Sequence, residues 1–365
     1  MQPRIIIIGG VAAGMSAATR ARRLNEHASI IVLEKNGYIS FANCGLPYFL
    51  NRRIPSADKL LVTTPAKVKA RFNIDARVYH EVTRIDRVNK TVEGVDHATG
   101  TPFRLEYDKL ILSPGGSPLV PPIEGIRSTN VFLLRTVEDT LALDKWLTEK
   151  APKSVVIVGA GFIGLEMAEA MRDRGLAVTV VEKAGHALPP LDREMATVVH
   201  EELAKHGVQL IAGVGLKSVE TSGDMVTNVV LEDGRRIAAD FVLLSIGVRP
   251  NVGLATEAGL KLGDSGAIAV DQFNRTNDPD IYAVGDAAEV THGVTGKHTR
   301  IPLAGPANRQ GRLAGQHAAT GTGPTAPAIL GTAIVQLFDL SIGMTGLSEA
   351  AAKSQGIAAE SAYVY

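Results

Sequence analysis

A single cysteine occurs among 365 residues: Cys44, in the run Ser40-Phe41-Ala42-Asn43-Cys44-Gly45-Leu46-Pro47-Tyr48. A lone thiol has no internal disulfide partner, so redox chemistry there must draw its second sulfur from a substrate or pass through an oxygen adduct. Free cysteines are more often small buried hydrophobes, and reactivity needs an electropositive setting. The surroundings favour the reactive reading. Cys44 follows a glycine-rich turn, and the spacing predicts that Gly45 to Leu50 opens a helix whose N-terminal dipole would favour a thiolate.

Two glycine turns carry the next layer of chemistry. A dinucleotide pyrophosphate is held by backbone amides at a helix N-terminus, which calls for glycine at fixed offsets, and an acid about 20 residues on holds a ribose hydroxyl. Gly159, Gly161 and Gly164 complete G-x-G-x-x-G between an apolar strand and a helix, and Glu182 lies 18 residues past Gly164. The like charge of Glu182 disfavours a 2′-phosphate and points to NADH, while Lys183 beside it keeps NADPH open. In the first turn Gly9 and Gly14 hold the outer positions, Val11 replaces the middle glycine with Gly10 alongside, and Glu34 lies 20 residues past Gly14. Asp286 ends a second acid-bearing strand. Alone it reads as a turn residue after Gly285; with Glu34 it suits a flavin dinucleotide, which offers both a ribose and a ribityl chain. Two dinucleotides on one chain imply hydride transfer from nicotinamide to flavin, then electrons onward to an acceptor, and Cys44 is placed to be it.

The elements that must position these groups read as two βαβ units about 150 residues apart. The first runs Ile5 to Ile8, a helix from Met15 to Leu24, then Ser29 to Leu33; the second starts at Ser154, with a helix through Met171 and a strand from Ala177 to Val181. Asp75 to Thr91 is strand-rich. Each unit closes with the same kind of apolar strand and glycine turn, Tyr107 to Gly116 and Ala239 to Asn251. A further strand is expected from Ala333 to Phe338 and a helix from Ser348 to Gln355. Some 35 residues from Gly331 are too few for a core of their own, so the tail must pack on something else or be incomplete.

The composition is that of an ordinary globular protein, with 45% hydrophobic and 21% charged residues. Lys plus Arg equals Asp plus Glu at 38 each, so no long-range field attracts nucleic acid or a membrane surface. The run Ile5 to Ile8 is far too short for a signal peptide or a membrane span. A cytoplasmic location is expected, since a working free thiol fits a reducing compartment.

On these motifs the chain resembles the pyridine nucleotide-disulfide oxidoreductases, in the single-cysteine branch that contains coenzyme A-disulfide reductase, NADH-dependent persulfide reductase and NADH oxidase or peroxidase. The segment Ser40 to Tyr48 is similar to the coenzyme A-disulfide reductase signature, supported by Ser113 to Gly116, Gly247 to Asn251, Tyr282 to Asp286 and Pro302 to Arg309. The resemblance implies an α/β fold with two Rossmann-like domains of glutathione-reductase type and the start of an α+β dimerisation domain. The division expected is residues 1–150 and 266–325 for FAD, 151–265 for NAD(P)H and 326–365 for a partial interface domain.

By that resemblance Cys44 cycles between thiolate and a mixed disulfide with coenzyme A. FAD is expected at Gly9, Gly10, Ala13, Gly14, Glu34, Lys35, Val82, Gly115, Asp286 and Ala304. NADH, with NADPH possible, is expected at Gly159, Gly161, Phe162, Ile163, Gly164, Glu182, Lys183 and Gly247. Coenzyme A contacts fall on Ser16, Arg20, Arg23, Ser40 and Asn43, with Arg71 and Asn308 as further candidates. Arg20 and Arg23 are three apart, hence on one side of a helix, and guanidinium groups suit phosphates; a solvated face is the plainer alternative. No metal ligand set is assigned. The peroxide- and oxygen-reducing members carry a histidine where this chain has Ala12, which disfavours that chemistry. The two-cysteine members carry their second sulfur where this chain has Ile39, which excludes theirs. Family members continue past this point with a domain that completes a homodimer, so the chain is expected to be truncated or interrupted. The alternatives to coenzyme A disulfide are a coenzyme A persulfide or polysulfide, oxygen, or a role as a weakly active flavin electron-transfer or redox-sensing protein.

Overall fold

The computed structural model describes residues 2–364. The chain forms two compact units: Met1–Ala42, Leu61–Ser117 and Pro250–Gly331 make the first, and Asn43–Leu60, Pro118–Arg249 and Thr332–Tyr365 the second. The segment that carries Cys44, grouped with residues 1–150 in the sequence reading, is packed within the second unit.

In the first unit the isoleucine run becomes strand Arg4–Ile8, with Ile5, Ile6, Ile7 and Ile8 all buried. A continuous apolar run of this kind suits the centre of a parallel sheet, which is covered on both faces. The sheet order is Ile281–Ala283, Lys109–Leu112, Arg4–Ile8, Ser29–Leu33, Asp75–Arg77, every pairing parallel. The chain winds outward on one side of Arg4–Ile8 and then returns to the other. That reversal leaves a crevice at the carboxyl ends of Arg4–Ile8 and Lys109–Leu112, where doubly wound sheets bind ligands. A three-stranded antiparallel sheet, His80–Asp86, Thr91–Asp96 and Thr101–Glu106, is inserted before the fourth strand.

Two helices back this sheet closely. Helix Ala12–Leu24 meets helix Ala304–Thr320 through small residues: a Cβ at Gly311 would lie 2.2 Å from the Ala13 carbonyl oxygen, and one at Gly315 would lie 2.3 Å from that of Ala17. The same 304–320 helix fixes Asp286, because the Gln310 side chain accepts the Gly285 amide at 3.0 Å.

The second unit repeats the plan. Its parallel sheet runs Val208–Ala212, Ala177–Glu182, Ser154–Val158, Phe241–Leu244, Val131–Phe132, again with the reversal beside the central strand. A second antiparallel sheet, Leu216–Ser222, Met225–Leu231 and Arg236–Ala238, comes between Val208–Ala212 and Phe241–Leu244 in chain order. The tail forms a hairpin, Ala333–Leu337 with Leu340–Met344, and a short helix, Glu349–Ser354. It packs on this unit. The His206 ring stacks on Phe338 with centroids 3.9 Å apart, the Asp339 amide donates to Glu202 at 3.0 Å, and the Glu349 amide donates to Asp192 at 2.8 Å.

Candidate functional site

The two glycine turns are built alike. In the first unit Gly9 has φ +95° and a Cβ there would lie 2.1 Å from the Ser113 carbonyl oxygen; a Cβ at Gly14 would lie 1.8 Å from the Gly9 carbonyl oxygen. In the second, Gly159 has φ +105°, with the corresponding distances 2.5 Å to Ser245 and, for Gly164, 1.9 Å to Gly159. Both outer glycines are therefore demanded by the protein's own backbone. A serine locks each turn from the next strand. The Ser113 hydroxyl reaches the carbonyls of Ile8 and Gly9, both at 2.8 Å, and the Ser245 hydroxyl reaches those of Val158 at 3.0 Å and Gly159 at 2.8 Å.

The middle position behaves differently. A Cβ at Gly161 would meet no atom within 4 Å, so nothing in the protein requires glycine there. The open space lies at the N-cap of helix Phe162–Asp173, where unpaired amides attract an anion. This cradle fits a dinucleotide pyrophosphate. Val11 occupies the equivalent N-cap at φ −101° and ψ −126°, so a β-branched side chain stands where the second turn has its middle glycine.

Each acid after the second strand closes its turn. Glu34, buried, accepts the Gly10 amide at 2.8 Å and the Asn36 amide at 2.9 Å. Glu182 accepts the Ala160 and Ala184 amides, both at 2.7 Å. The carboxylates thus brace the loop that a ribose would meet. Lys183 is bonded to Glu232 at 3.0 Å, with both side chains exposed.

Other expected positions separate by role. Ala13 lies buried in the first turn of its helix, Lys35 is exposed, Gly115 has φ +67°, Gly247 is exposed with φ +114°, and Ala304 is exposed at the start of its helix. Phe162 and Ile163 are half-buried beside Gly164. The Val82 side chain is in the core with Ile8 and Leu33, leaving only its backbone to meet a ligand. Of the residues expected at coenzyme A, the first unit holds Ser16, Arg20, Arg23, Ser40, Arg71 and Asn308, and the second holds Asn43 with Cys44. Ser16 donates to Asn308 at 2.7 Å and Arg20 to Gln316 at 2.6 Å, both pairs joining the 12–24 and 304–320 helices. Arg23 is exposed, and exposed Arg71 lies over the Phe72 ring at 5.1 Å. Arg22, by contrast, is structural: it is bonded to the carbonyls of Phe72 and Asn73 at 2.8 and 2.9 Å. Ser40 has φ +47°, and its amide donates to the Gly10 carbonyl at 2.9 Å.

Cys44 is exposed and unpaired as a sulfur, in a single 3₁₀ turn, Asn43–Gly45, that leads into helix Leu46–Leu50. The expected helix forms but does not favour the thiolate. It is only five residues long, and desolvation together with the Glu166 carboxylate pushes the Cys44 thiol up. The segment docks on helix Phe162–Asp173. Arg53 is paired with buried Glu169 at 2.5 Å and with Asp173 at 3.4 Å, and Asn51 donates to Asp173 at 3.0 Å. Ser113, Ser245, Gln310 and Glu166 were not singled out from the sequence. The two serines had a visible signal, since each begins the turn after a closing strand.

The family model for pyridine nucleotide-disulphide oxidoreductase matches residues 3–311. An NADH oxidase of Methanocaldococcus jannaschii is 39% identical over 94% of this chain and 76% of its own length. An NAD(P)H coenzyme A polysulfide/persulfide reductase of Pyrococcus horikoshii is 34% identical over 100% of this chain and 80% of its own. A coenzyme A disulfide reductase of Staphylococcus haemolyticus is 32% identical over 94% of this chain and 76% of its own length. The structure of reduced Bacillus anthracis CoADR-RHD matches with a TM-score of 0.93 at 44% identity, over 98% of this chain and 64% of that one, so the chain spans less than two thirds of that solved relative. With a match across most of its length, two dinucleotide-type turns and a single accessible thiol, the chain belongs to the pyridine nucleotide-disulphide oxidoreductase family.

Proposed function

We propose that the chain is the FAD- and NADH-dependent part of a disulfide reductase that turns coenzyme A disulfide into two coenzyme A thiols at Cys44. The observation that carries this reading is the single exposed sulfur on a chain with two dinucleotide turns. Gly159, Gly161, Gly164 and Glu182 hold NADH; Gly9, Gly14, Glu34 and Asp286 hold FAD. Bound FAD supplies the two-electron relay between nicotinamide and sulfur. The Cys44 thiolate attacks one sulfur of the substrate, forming a Cys44–coenzyme A disulfide and releasing the first thiolate. Two electrons then cleave the mixed disulfide, releasing the second thiolate and regenerating Cys44. The balance is one NADH and one proton consumed for two thiols and NAD⁺. Arg20 and Arg23 are the proposed phosphate contacts of the substrate, the reaction is placed in the cytoplasm, and the working form is a homodimer.

The Pyrococcus relative, matched along the whole chain, favours a second reading in which the same thiol accepts the outer sulfur of a persulfide. An anaerobic assay with NADH separates the two. Coenzyme A disulfide is expected to give two thiols per NADH, and Cys44→Ser is expected to lower the rate on the order of 10³-fold or more, as for other lost nucleophiles. Sulfide release from coenzyme A persulfide, with no turnover of the disulfide, would replace the first reading with the second. Full activity in Cys44→Ser would remove both.

A further inference from the structure

The Cys44 segment and the tail hairpin are both anchored on helix Phe162–Asp173, and they meet there at one side chain. Glu169 is buried, with its side chain 3% exposed. Its Oε1 takes the Arg53 guanidinium at 2.5 Å and its Oε2 accepts the Phe338 amide at 2.8 Å. The two donors come from far along the chain, one 116 residues before Glu169 and the other 169 residues after it. A carboxylate this deeply buried needs both oxygens answered, and each donor answers one.

On the cysteine side, Arg53 belongs to the same small piece as helix Leu46–Leu50. The Asn51 amide donates to the Pro47 carbonyl at 3.0 Å, the Ile54 amide donates to that of Tyr48 at 2.8 Å, and the Arg53 guanidinium lies over the Tyr48 ring at 5.8 Å. Cys44 sits in the turn at the other end of this piece. Besides Glu169, the piece is held by Asp173, which takes Asn51 at 3.0 Å and Arg53 at 3.4 Å, and by Asp144, which takes Arg52 at 2.9 Å. On the tail side, Phe338 opens the turn of the hairpin at φ +51°, a left-handed backbone that a residue other than glycine keeps only where its surroundings fix it. Glu169 fixes its amide, the Gln336 side chain donates to its carbonyl at 2.7 Å, and its ring stacks on His206.

We propose that Glu169 is a positioning residue for Cys44, and that through it the docked tail hairpin holds the cysteine segment in place. The inference rests on Cys44 being the working sulfur. Withdrawal of the Phe338 amide leaves Oε2 buried without a donor, so the carboxylate must turn or admit water, and either loosens Oε1 from Arg53. Arg53 is half exposed and can turn to solvent instead, which frees the piece that carries Cys44. Loss of Arg53 acts in the other direction and weakens the hold on the hairpin turn, because a coupling between two segments is reciprocal.

Hydrogen exchange read by mass spectrometry on the purified FAD-loaded protein tests this. Arg53→Met is expected to speed exchange roughly 10-fold in peptides from 43–54 and also in peptides from 333–344, with those of the first unit unchanged. His206→Ala, which loosens the hairpin turn without touching the cysteine segment, is expected to speed exchange in the same two regions. Glu169→Gln should resemble Arg53→Met, and combining the two is expected to add little, since both remove the same bond. Arg53→Lys, which keeps a cationic donor, is expected to stay within about threefold of wild type. In turnover of coenzyme A disulfide, Arg53→Met should lower kcat on the order of 10-fold with KM within about twofold, as for a displaced nucleophile.

Faster exchange in 43–54 with the hairpin unchanged would break the coupling, and unchanged exchange in 43–54 would remove Glu169 as a positioning residue. Equal acceleration in all peptides would mean global loosening and would also overturn the proposal. Failure here is separable from failure of the proposed function. Turnover of coenzyme A disulfide that survives Cys44→Ser defeats the latter, whatever the exchange pattern shows.

Discussion

At the scale of single residues, the glycines of one motif do different jobs. Gly9 and Gly159 sit at positive φ against a carbonyl from the neighbouring strand, so their requirement is steric and internal. Gly161 faces open space, so its requirement comes from outside the protein. This separates two substitutions that look equivalent in sequence. Gly9→Ala is expected to cost roughly 2–5 kcal/mol, from backbone strain plus overpacking, measured by urea denaturation. Gly161→Ala should change stability by under about 1 kcal/mol yet weaken NADH binding roughly 10-fold or more, about 1.4 kcal/mol, because a methyl enters the cradle. Equal loss of stability in both variants would show that Gly161 is structural too.

At the scale of elements, the close approach of the 12–24 and 304–320 helices positions the first turn and Asp286 together. The approach depends on Gly311 and Gly315 lying against the carbonyls of Ala13 and Ala17. Gly315→Val would force the pair apart; a loss of roughly 3 kcal/mol or more is expected, together with weaker flavin retention after gel filtration. Unchanged stability would mean that the helices separate without cost. The Ser16–Asn308 and Arg20–Gln316 bonds join the same two helices, so part of the expected substrate face also serves packing. On the other unit, the Cys44 segment is held by ion pairs to a helix rather than by a sheet. Desolvation first and the Glu166 carboxylate second push its thiol up, against the dipole of the short helix that follows.

At the scale of the whole molecule, Glu166 links stability to pH. Its folded-state value of about 7 stands above the ordinary 4.5, so the native state binds this proton more tightly than the unfolded chain does. The penalty is absent below about pH 4.5, grows through the interval and is complete above about pH 7. Glu166→Gln should therefore leave stability unchanged at pH 4.5 and raise it at pH 8 by about 1–2 kcal/mol, after discounting for partial solvent access. Urea denaturation at the two pH values checks this, and a gain of equal size at both would refute the assignment. No described helix is long and apolar enough to cross a membrane.

Much of this was legible from the chain. Apolar runs ended by glycine, with an acid a fixed distance on, specify a strand, a turn and a helix because local sterics and hydrogen bonding allow little else; both Rossmann-type sheets follow from that grammar. The lone sulfur was equally plain, since it is a matter of composition. Tertiary structure alone decided which acids meet the Cys44 segment. Glu166 is one acid among many along a helix, and its partnerless, half-buried state arises only when Arg53 and Asn51, more than 100 residues away in the chain, claim Glu169 and Asp173. Desolvation and charge proximity depend on which surfaces meet in space, so the thiol's ionisation ran opposite to what its local helix suggested.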